Sequence, residues 1–289
     1  MSSPPIAVTV QNSAQWDLES PDGQTYRIQV SWPMHWKNRM ERNDVPAFYI
    51  ADGNAMFLSA TEAACRRATG PHFSGGGLII AIGYPLDSRV YSPRRNCDLT
   101  PPASPCPDGY GGAEKCLDFI QDVVKPFIKT TAFPNATICR EALFGHSFGG
   151  LFTLYALYSR PSLFNGFVAS SPSVEWNNYC IESYENKFRN RKPEPEREFE
   201  CPSLMIFYGS YEQDPHKWAD ESPEDFEQRL QFSHSRPMTD NAIALHRRLK
   251  ESAGLRCVTV KGYQAEDHGT VMACALSRSL TTFFEEWPL

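Results

Sequence analysis

Two patterns of hydrophobic residues alternate along the chain. Short apolar runs, some with polar residues between, are typical of strands and occur at 25–32, 47–52, 77–82, 137–144, 167–169, 204–208 and 256–261. Stretches whose apolar residues repeat at helical spacing lie at 57–68, 113–127, 151–159 and 240–251. Strands that alternate with helices predict an α/β fold, in which a mostly parallel, twisted sheet is flanked by helices. No internal repeat is present, and we expect a single domain over residues 1–289.

Three long polar segments do not fit this alternation, and each follows a predicted strand. They span 87–112, 174–200 and 214–239. Loops at the carboxyl ends of the strands surround the active site in such sheets, so we expect these segments to form its walls. Their aromatic residues, Trp176 and Trp218 among them, suit a wide ligand; polar surface filler is the alternative. Charges and prolines in 189–200 predict a mobile flap.

Charge and hydropathy exclude two classes of function. The chain has 289 residues, a formal net charge of −6 and a pI near 5.7, without a basic stripe. Binding of nucleic acid or of an anionic membrane is therefore not expected as its main activity. The first residues lack a positive region followed by an apolar one, and no stretch approaches the roughly 20 apolar residues of a membrane span. We expect a cytoplasmic protein.

Nine cysteines are spread through predicted strands and helices rather than grouped on a small loop-rich scaffold. We expect most of them to be reduced and buried. Cys97, Cys106 and Cys116 come closest to a cluster, but their spacing is not that of a paired zinc site and no histidine lies between them. The sequence therefore predicts no metal site, with a local disulfide as the alternative.

Residues 145–149 read Gly-His-Ser-Phe-Gly, between a strand-like and a helix-like run. In this context the G-x-S-x-G pattern is typical of a nucleophile elbow, a sharp turn that exposes the serine oxygen. The glycines two before and two after the serine are expected to let the flanking chains pass closely. The helix amino terminus favours developing negative charge beside it. We predict that Ser147 is a nucleophile; a Gly/Ser turn before an ordinary core helix is the alternative.

A serine nucleophile needs a histidine base and a carboxylate that orients this base. The chain order with this elbow is serine, acid, histidine, which leaves His216, His234, His246 and His268. His246 lies on a predicted helix surface, whereas His216 and His234 lie in a polar segment that could line a pocket. His268 follows the last predicted strand and a short loop, where this architecture places its base. We predict His268; a loop histidine that caps the terminal helix is the alternative.

The acid should follow the preceding predicted strand. Glu212 and Asp214 lie just beyond it, and either could reach the histidine. We favour Glu212 because it is closer to the strand end, where its position is better fixed. Glu266 and Asp267 are too near His268 in sequence to orient its ring, and we expect them to solvate the loop.

Two backbone N–H groups should stabilise the oxyanion, one from the residue after the nucleophile and one from a loop after an earlier core strand. The first is that of Phe148. For the second, the apolar run 77–82 ends in Gly83-Tyr84-Pro85, which makes the N–H of Tyr84 the expected donor. A plain turn after a buried strand explains these residues equally well.

Several further motifs are distinctive, and together they cover most of the chain from residue 25 onward. They are 50–57, Arg94-Arg95 with 98–101, 111–113, 119–120, 125–128, the elbow with Gly150, 170–173 with Trp176, 208–213 and 267–269. By these motifs the chain resembles the esterase D-like branch of the α/β hydrolases, and within it the enzymes that hydrolyse macrocyclic trilactone siderophores. The resemblance implies an α/β-hydrolase fold with long strand-end loops around the pocket.

Within this branch the chain is most similar to fungal intracellular siderophore esterases, which open ester bonds of fusarinine-type hydroxamates, including triacetylfusarinine, so that iron is released. The resemblance implies Ser147 as nucleophile, His268 as base and Glu212 as acid. No cofactor is implied, and iron belongs to the substrate. Arg94 or Arg95 would hold the ligand or brace the neighbouring loop.

Two other functions remain open from the sequence. A general carboxylesterase, or a thioesterase of the S-formylglutathione hydrolase type, is one; a small substrate favours a narrow pocket, which the three long polar loops argue against. An inactive hydrolase-fold protein that binds siderophores is the other, and the complete set of triad candidates in the right order argues against it.

Overall fold

The computed structural model describes residues 5–69, 75–86, 89–191 and 201–285. Within these residues, eight strands form one sheet in the order β1-β2-β4-β3-β5-β6-β7-β8. The strands are β1 (Ser13–Glu19), β2 (Thr25–Ser31), β3 (Asp44–Ala51), β4 (Leu78–Gly83), β5 (Thr137–His146), β6 (Gly166–Ser170), β7 (Ser203–Gly209) and β8 (Cys257–Tyr263). Only the pairs β1–β2 and β2–β4 of this sheet are antiparallel. The predicted mostly parallel sheet is confirmed.

Helices in the described ranges flank both faces of the sheet. They are α1 (Gly53–Thr69), α2 (Arg95–Asp98), α3 (Ala113–Phe119), α4 (Lys125–Phe127), α5 (Phe148–Ser159), α6 (Trp176–Tyr179), α7 (Ile181–Arg189), α8 (Pro223–Ser235), α9 (Met238–Leu249) and α10 (Val271–Glu285). Two π-helical turns, Ile120–Val124 and Ile128–Ala132, flank α4, which contains Pro126. In the part of the chain that the structure describes, none of the helices combines the length and apolar character needed to span a bilayer.

The two faces of β3 show how the core is divided. Phe48 and Ile50 pack in the cluster that contains the apolar side chains of α1 and α10. Ala47, Tyr49 and Ala51 pack in the larger cluster with α3, α5 and α9. A strand that is buried on both faces needs apolar residues at successive positions, which explains the continuous apolar runs of the sequence.

Several elements were not predicted, among them α2 within 87–112, α6 and α7 within 174–200, strand β1 and helix α8. Strand β1 is an antiparallel edge strand whose residues are at most half-buried, so its sequence lacks a continuous apolar run. Helix α8 lies within 214–239, so the prediction that this whole segment is a loop is wrong. None of its residues is buried, and its start is marked instead by Ser222, whose Oγ accepts the N–H of Asp225 at 3.0 Å, followed by Pro223. Most of the predicted flap, 192–200, lies outside the described residues.

All nine cysteines are free thiols. The prediction that most of them are buried is wrong, because Cys116 is the only one classed as buried and both Cys139 and Cys257 are exposed. Cys139 and Cys257 occupy strand positions whose side chains face away from the core.

The direction in which successive strands are added reverses at β3, and there the carboxyl end of β3 lies beside that of β5. From β3 the chain enters β4 on one side, and it then returns to β5 on the other side of β3. Ligands of open α/β sheets bind outside the carboxyl ends of the strands at such a point. The carboxyl ends of β3 and β5 are followed by the α1 turn and by the G-x-S-x-G motif, respectively.

Candidate active site

Ser147 occupies the sharp turn between β5, which ends at His146, and α5, which begins at Phe148. Its backbone has φ 59° and ψ −119°, a conformation that residues other than glycine rarely adopt. The turn is held by hydrogen bonds from the Ser147 N–H to the Ser170 carbonyl (3.0 Å) and from the Leu151 N–H to the Ser147 carbonyl (3.0 Å). Backbone strain of this kind persists only where the surrounding structure determines it, and it is concentrated at functional sites.

Close packing at the turn requires glycine at Gly145 and Gly150. A Cβ atom on Gly145 would lie 1.9 Å from the Gly149 carbonyl oxygen, and one on Gly150 would lie 2.8 Å from the Ser170 carbonyl oxygen. A Cβ on Gly149 would meet its nearest neighbour, Ala51 Cβ, at an ordinary 3.6 Å. The expectation that both motif glycines are required by crowding therefore applies to Gly145 but not to Gly149.

Glu212 and His268 are in direct contact. His268 Nδ1 lies 2.5 Å from Glu212 Oε1, and because a carboxylate only accepts, Nδ1 carries the shared proton. The other oxygen, Oε2, accepts the Gly209 N–H and the Ser171 hydroxyl, each at 2.8 Å. The Glu212 side chain is 1% exposed and that of His268 is 41% exposed. The Glu212 carboxylate is thus fixed at the end of β7 by three hydrogen bonds, while the His268 ring reaches solvent.

The alternative residues lie elsewhere. Asp214 is exposed, and its Oδ1 lies 3.4 Å from Nε2 of His234 on α8. The ring of His216 stacks on that of Tyr211, and His246 is half-buried on α9. Asp214 therefore contacts His234 rather than His268.

Asp267 is exposed, as expected of a residue that solvates the loop, and it also has a structural role. Its Oδ1 accepts the N–H groups of Gly269 (2.8 Å) and Thr270 (2.9 Å). These bonds lower the pKa of the Asp267 carboxyl, with the Thr270 N–H as the largest cause. Asp267 therefore orders the backbone that follows His268.

His146 connects the elbow to the His268 loop. Its ring lies against that of His268, with centroids 4.5 Å apart. Nδ1 lies 3.0 Å from the Ser170 hydroxyl, and the ring also hydrogen bonds to the His268 backbone. Burial, with smaller contributions from His268 and Arg95, holds the pKa of His146 well below its usual value. The low pKa indicates a neutral ring, which donates through one nitrogen and accepts through the other.

The predicted oxyanion donor Tyr84 is wrong for this structure. Its N–H donates to Asn54 Oδ1 at 2.7 Å, and Asn54 Nδ2 donates back to the Tyr84 carbonyl at 2.9 Å. Tyr84 also follows β4, which is separated from β5 by β3. The turn nearer the elbow is the one after β3, where Asp52 Oδ2 lies 3.7 Å from the position that a Gly149 Cβ would take. The other predicted donor, Phe148, begins α5 directly after Ser147.

Arg94 and Arg95 have different surroundings. All three guanidinium nitrogens of Arg94 donate to protein oxygens, those of Asp98, Gln24 and Thr25. Its guanidinium carbon also lies 4.1 Å from the ring centre of Tyr26 and 4.7 Å from that of Tyr84. Arg94 thus braces its loop, and the ligand-binding alternative is not supported.

Arg95 donates to both carboxylate oxygens of Asp52 at 2.7 to 3.0 Å and lies 5.5 Å from the Phe148 ring centre. Burial raises the pKa of the Asp52 carboxyl, and the bonds with Arg95 act against that rise. Arg95 Nη1 makes no hydrogen bond within the described residues. Arg95 therefore ties α2 to the turn after β3 and leaves one nitrogen for a ligand.

A row of aromatic side chains extends from the elbow. The Phe148 ring packs edge-on against Tyr110, which stacks on Trp176 with centroids 5.8 Å apart. Trp218 belongs to the segment that follows β7, the strand end that also carries Glu212. It is 62% exposed and carries the Arg229 guanidinium 4.2 Å from its ring centre.

Sequence reasoning missed a polar group next to the nucleophile. Ser173 Oγ lies 3.4 Å from Ser147 Oγ and 3.4 Å from Arg236 Nη2. Arg236 Nε donates to Glu175 Oε1 at 2.9 Å. These contacts join the segment after β6 to the link between α8 and α9, which are 63 residues apart, and no local pattern signals them. Nowhere in the described ranges do three His, Cys, Asp or Glu side chains converge as metal ligands would.

Comparison with known proteins identifies close relatives. The Esterase family model matches residues 20–264. The full chain is 47% identical to "Siderophore triacetylfusarinine C esterase" of Aspergillus fumigatus, over 98% of that protein. It is 40% identical to "Siderophore enterobactin esterase" of Emericella nidulans, over 92% of each chain. The solved structure of "Siderophore hydrolase EstB from Aspergillus nidulans" superposes with a TM-score of 0.94 at 45% identity, over 99% of each chain.

Gly145→Ala should destabilise the protein by at least about 3 kcal/mol, because the added methyl group would overlap the Gly149 carbonyl oxygen. The matched variant Gly149→Ala should keep or raise stability by up to about 1 kcal/mol, since alanine replaces glycine in a helix with space for its Cβ. Urea unfolding of both variants measures the difference. Equal stability of the two variants would contradict the described turn.

The free energy of unfolding should fall as the pH is lowered from about 7 to about 5. In this interval an unfolded histidine, with a pKa of about 6.5, takes up a proton that buried His146 does not, so acid favours the unfolded state. His146→Gln should reduce the slope of unfolding free energy against pH by up to about 1.4 kcal/mol per pH unit. His35→Gln, at an exposed position, is the control. An unchanged slope in His146→Gln would show that His146 protonates while folded.

Proposed function

The chain belongs to the Esterase family, and from this premise we propose that it is a serine esterase that hydrolyses ester bonds of hydroxamate trilactone siderophores. The contact between Glu212 and His268, whose ring packs on His146 directly before the strained Ser147, is the observation that carries the chemistry. The substrate class is supported by the two relatives described as siderophore esterases, of which the more similar acts on triacetylfusarinine C.

In the proposed mechanism, Ser147 Oγ attacks the ester carbonyl carbon while His268 Nε2 takes the hydroxyl proton. Glu212 holds Nδ1–H, which keeps Nε2 available as the acceptor and stabilises the imidazolium that forms. The tetrahedral intermediate then breaks its bond to the alcohol oxygen, which receives the proton from His268. Water attacks the resulting acyl-enzyme with His268 again as base, and a carboxylic acid leaves Ser147 free.

The tetrahedral oxyanion needs donors on the side of the elbow. The Phe148 N–H is the first, because it opens α5 directly after Ser147. The second comes from the first turn of α1, at Gly53 and Asn54, whose N–H groups have no partner within the helix. Strand β3 brings this turn next to β5, and the Asp52–Arg95 ion pair fixes it. This assignment replaces Tyr84.

The substrate walls are formed by the strand-end segments. The row of Phe148, Tyr110 and Trp176 provides one aromatic surface and Trp218 another, and Arg95 Nη1 supplies a donor for a substrate oxygen. A trilactone is wide enough to contact these walls while one ester lies at Ser147. Iron enters as part of this substrate, and ester hydrolysis in the cytoplasm would loosen the ligand so that the iron is released.

Ser147→Ala should abolish esterase activity and keep the fold, because the attacking oxygen is lost and little volume is removed. An organophosphonate should label the wild-type protein at Ser147, as mass spectrometry of peptides can establish. Labelling of another residue, or an active Ser147→Ala protein, would refute the nucleophile assignment.

Glu212→Gln should lower kcat by a factor of about 100 or more with little change in KM, since the imidazolium loses its counter-charge. Asp214→Asn, a change of the same kind at the exposed carboxylate, should leave kcat within about twofold of the wild type. Steady-state kinetics on one soluble ester compares them. The reverse ranking would move the acid to Asp214.

For substrate preference, kcat/KM on a fusarinine-type cyclic ester should exceed that on a short p-nitrophenyl ester by at least about tenfold, or about 1.4 kcal/mol of transition-state binding. Trp218→Ala should lower kcat/KM on the cyclic ester and leave kcat/KM on the p-nitrophenyl ester unchanged. Met40→Ala, also exposed but before β3 at the opposite edge of the sheet, should change neither. Products are identified by mass spectrometry with ferri-siderophores, simple esters and S-formylglutathione. Equal rates, or a preference for S-formylglutathione, would leave a general esterase or thioesterase.

A further inference from the structure

The turn that follows β6 carries three buried serines, and each hydroxyl contacts a different part of the site. Ser170, Ser171 and Ser173 are all 0% exposed. The Ser170 hydroxyl bonds to His146, that of Ser171 to Glu212, and that of Ser173 lies against Ser147. A buried hydroxyl is costly unless it is hydrogen-bonded, so three such groups in four residues need a reason that packing alone does not supply.

Ser171 is the most constrained of the three. Its φ is +42°, in the left-handed region that a side chain disfavours and that glycine adopts freely. Its N–H donates to the Phe207 carbonyl at 2.8 Å, which fixes this conformation against β7. Glycine would satisfy the backbone better, so the residue at this position is retained against its conformational preference.

The hydrogen bond made by the Ser171 hydroxyl explains why serine rather than glycine occupies this position. It donates to Glu212 Oε2 at 2.8 Å, where the Gly209 N–H also donates at 2.8 Å. With two donors on Oε2, the carboxylate cannot rotate without breaking both bonds, and Oε1 stays directed at His268 Nδ1. The Gly209 bond alone constrains the distance of Oε2 but leaves the carboxylate plane free to turn about it.

We propose that Ser171 is a positioning residue for the acid, and that its hydroxyl is retained in a strained backbone conformation because it fixes the plane of the Glu212 carboxylate. The inference rests on the proposed function, with Glu212 as the acid. Its effect reaches the substrate only through His268, so loss of the hydroxyl should lower kcat and leave substrate binding unchanged.

The test is Ser171→Gly, which removes the hydroxyl and relieves the backbone at once. We expect kcat on a p-nitrophenyl ester to fall about tenfold with KM unchanged, and the melting temperature to change little because backbone relief offsets the lost hydrogen bond. A merely structural role predicts lower stability with an unchanged kcat. Asn12→Gly is the matched control: Asn12 precedes edge strand β1 and has a φ of +46°, so the same backbone relief and the loss of its side-chain hydrogen bonds should leave kcat unchanged.

A double-mutant cycle with Glu212→Gln connects the effect to the acid. In that background, Ser171→Gly should lower kcat less than twofold further, because the group it positions no longer acts. If Ser171→Gly proves unstable, Ser171→Ala carries the same kinetic comparison.

Three results would overturn the inference. The first is a wild-type kcat in Ser171→Gly together with a strongly impaired Glu212→Gln, which leaves the proposed acid intact. The second is a kcat loss of the same factor in both backgrounds. The third is a fully active Glu212→Gln, which removes the acid assignment itself and so is distinguished from the first.

Discussion

The approach of Gly145 to the carbonyl of Gly149 is the constraint on which the site depends. With no side chain between them, β5 passes directly into α5, and the one residue at the turn has to take up a positive φ. That residue is Ser147, so the geometry of the turn and the exposure of the proposed nucleophile have the same cause. The parallel neighbours of β5 hold the strand on both sides, which keeps the turn from relaxing.

Glu212 and His268 lie on the same side of the sheet as Ser147 because the sheet orders the strand ends. Glu212 follows β7 and His268 follows β8, and both strands run parallel to β5. Their loops therefore leave the same edge of the sheet. The histidine contact between His146 and His268 crosses the gap between β5 and the β8 loop and joins the base to the elbow through the backbone.

Whether an element could be predicted from the sequence depended on how deeply that element is buried. Strands buried on both faces show as continuous apolar runs, and the elbow is a local motif, so the sheet and Ser147 were recognised. Edge strand β1 and exposed helix α8 have no such pattern. Both 47–52 and 77–82 have the pattern of buried core strands, and only the strand order of the sheet shows that β3, not β4, lies next to β5. The expectation for Tyr84 therefore pointed to the wrong loop. Arg236 and Ser171 act through contacts between distant segments, which no spacing reveals.

Phe148 contributes to the site through both its backbone and its ring. Its backbone opens α5 beside the nucleophile, and its ring contacts Tyr110 in one wall and faces the Arg95 guanidinium. A substitution that reshapes this wall therefore also disturbs the first turn of the helix. Trp176 and Trp218 are not part of the turn from β5 to α5, so a change of either side chain leaves that turn in place. Adaptation to a new siderophore should thus proceed from the rim inward, with position 148 the last to change.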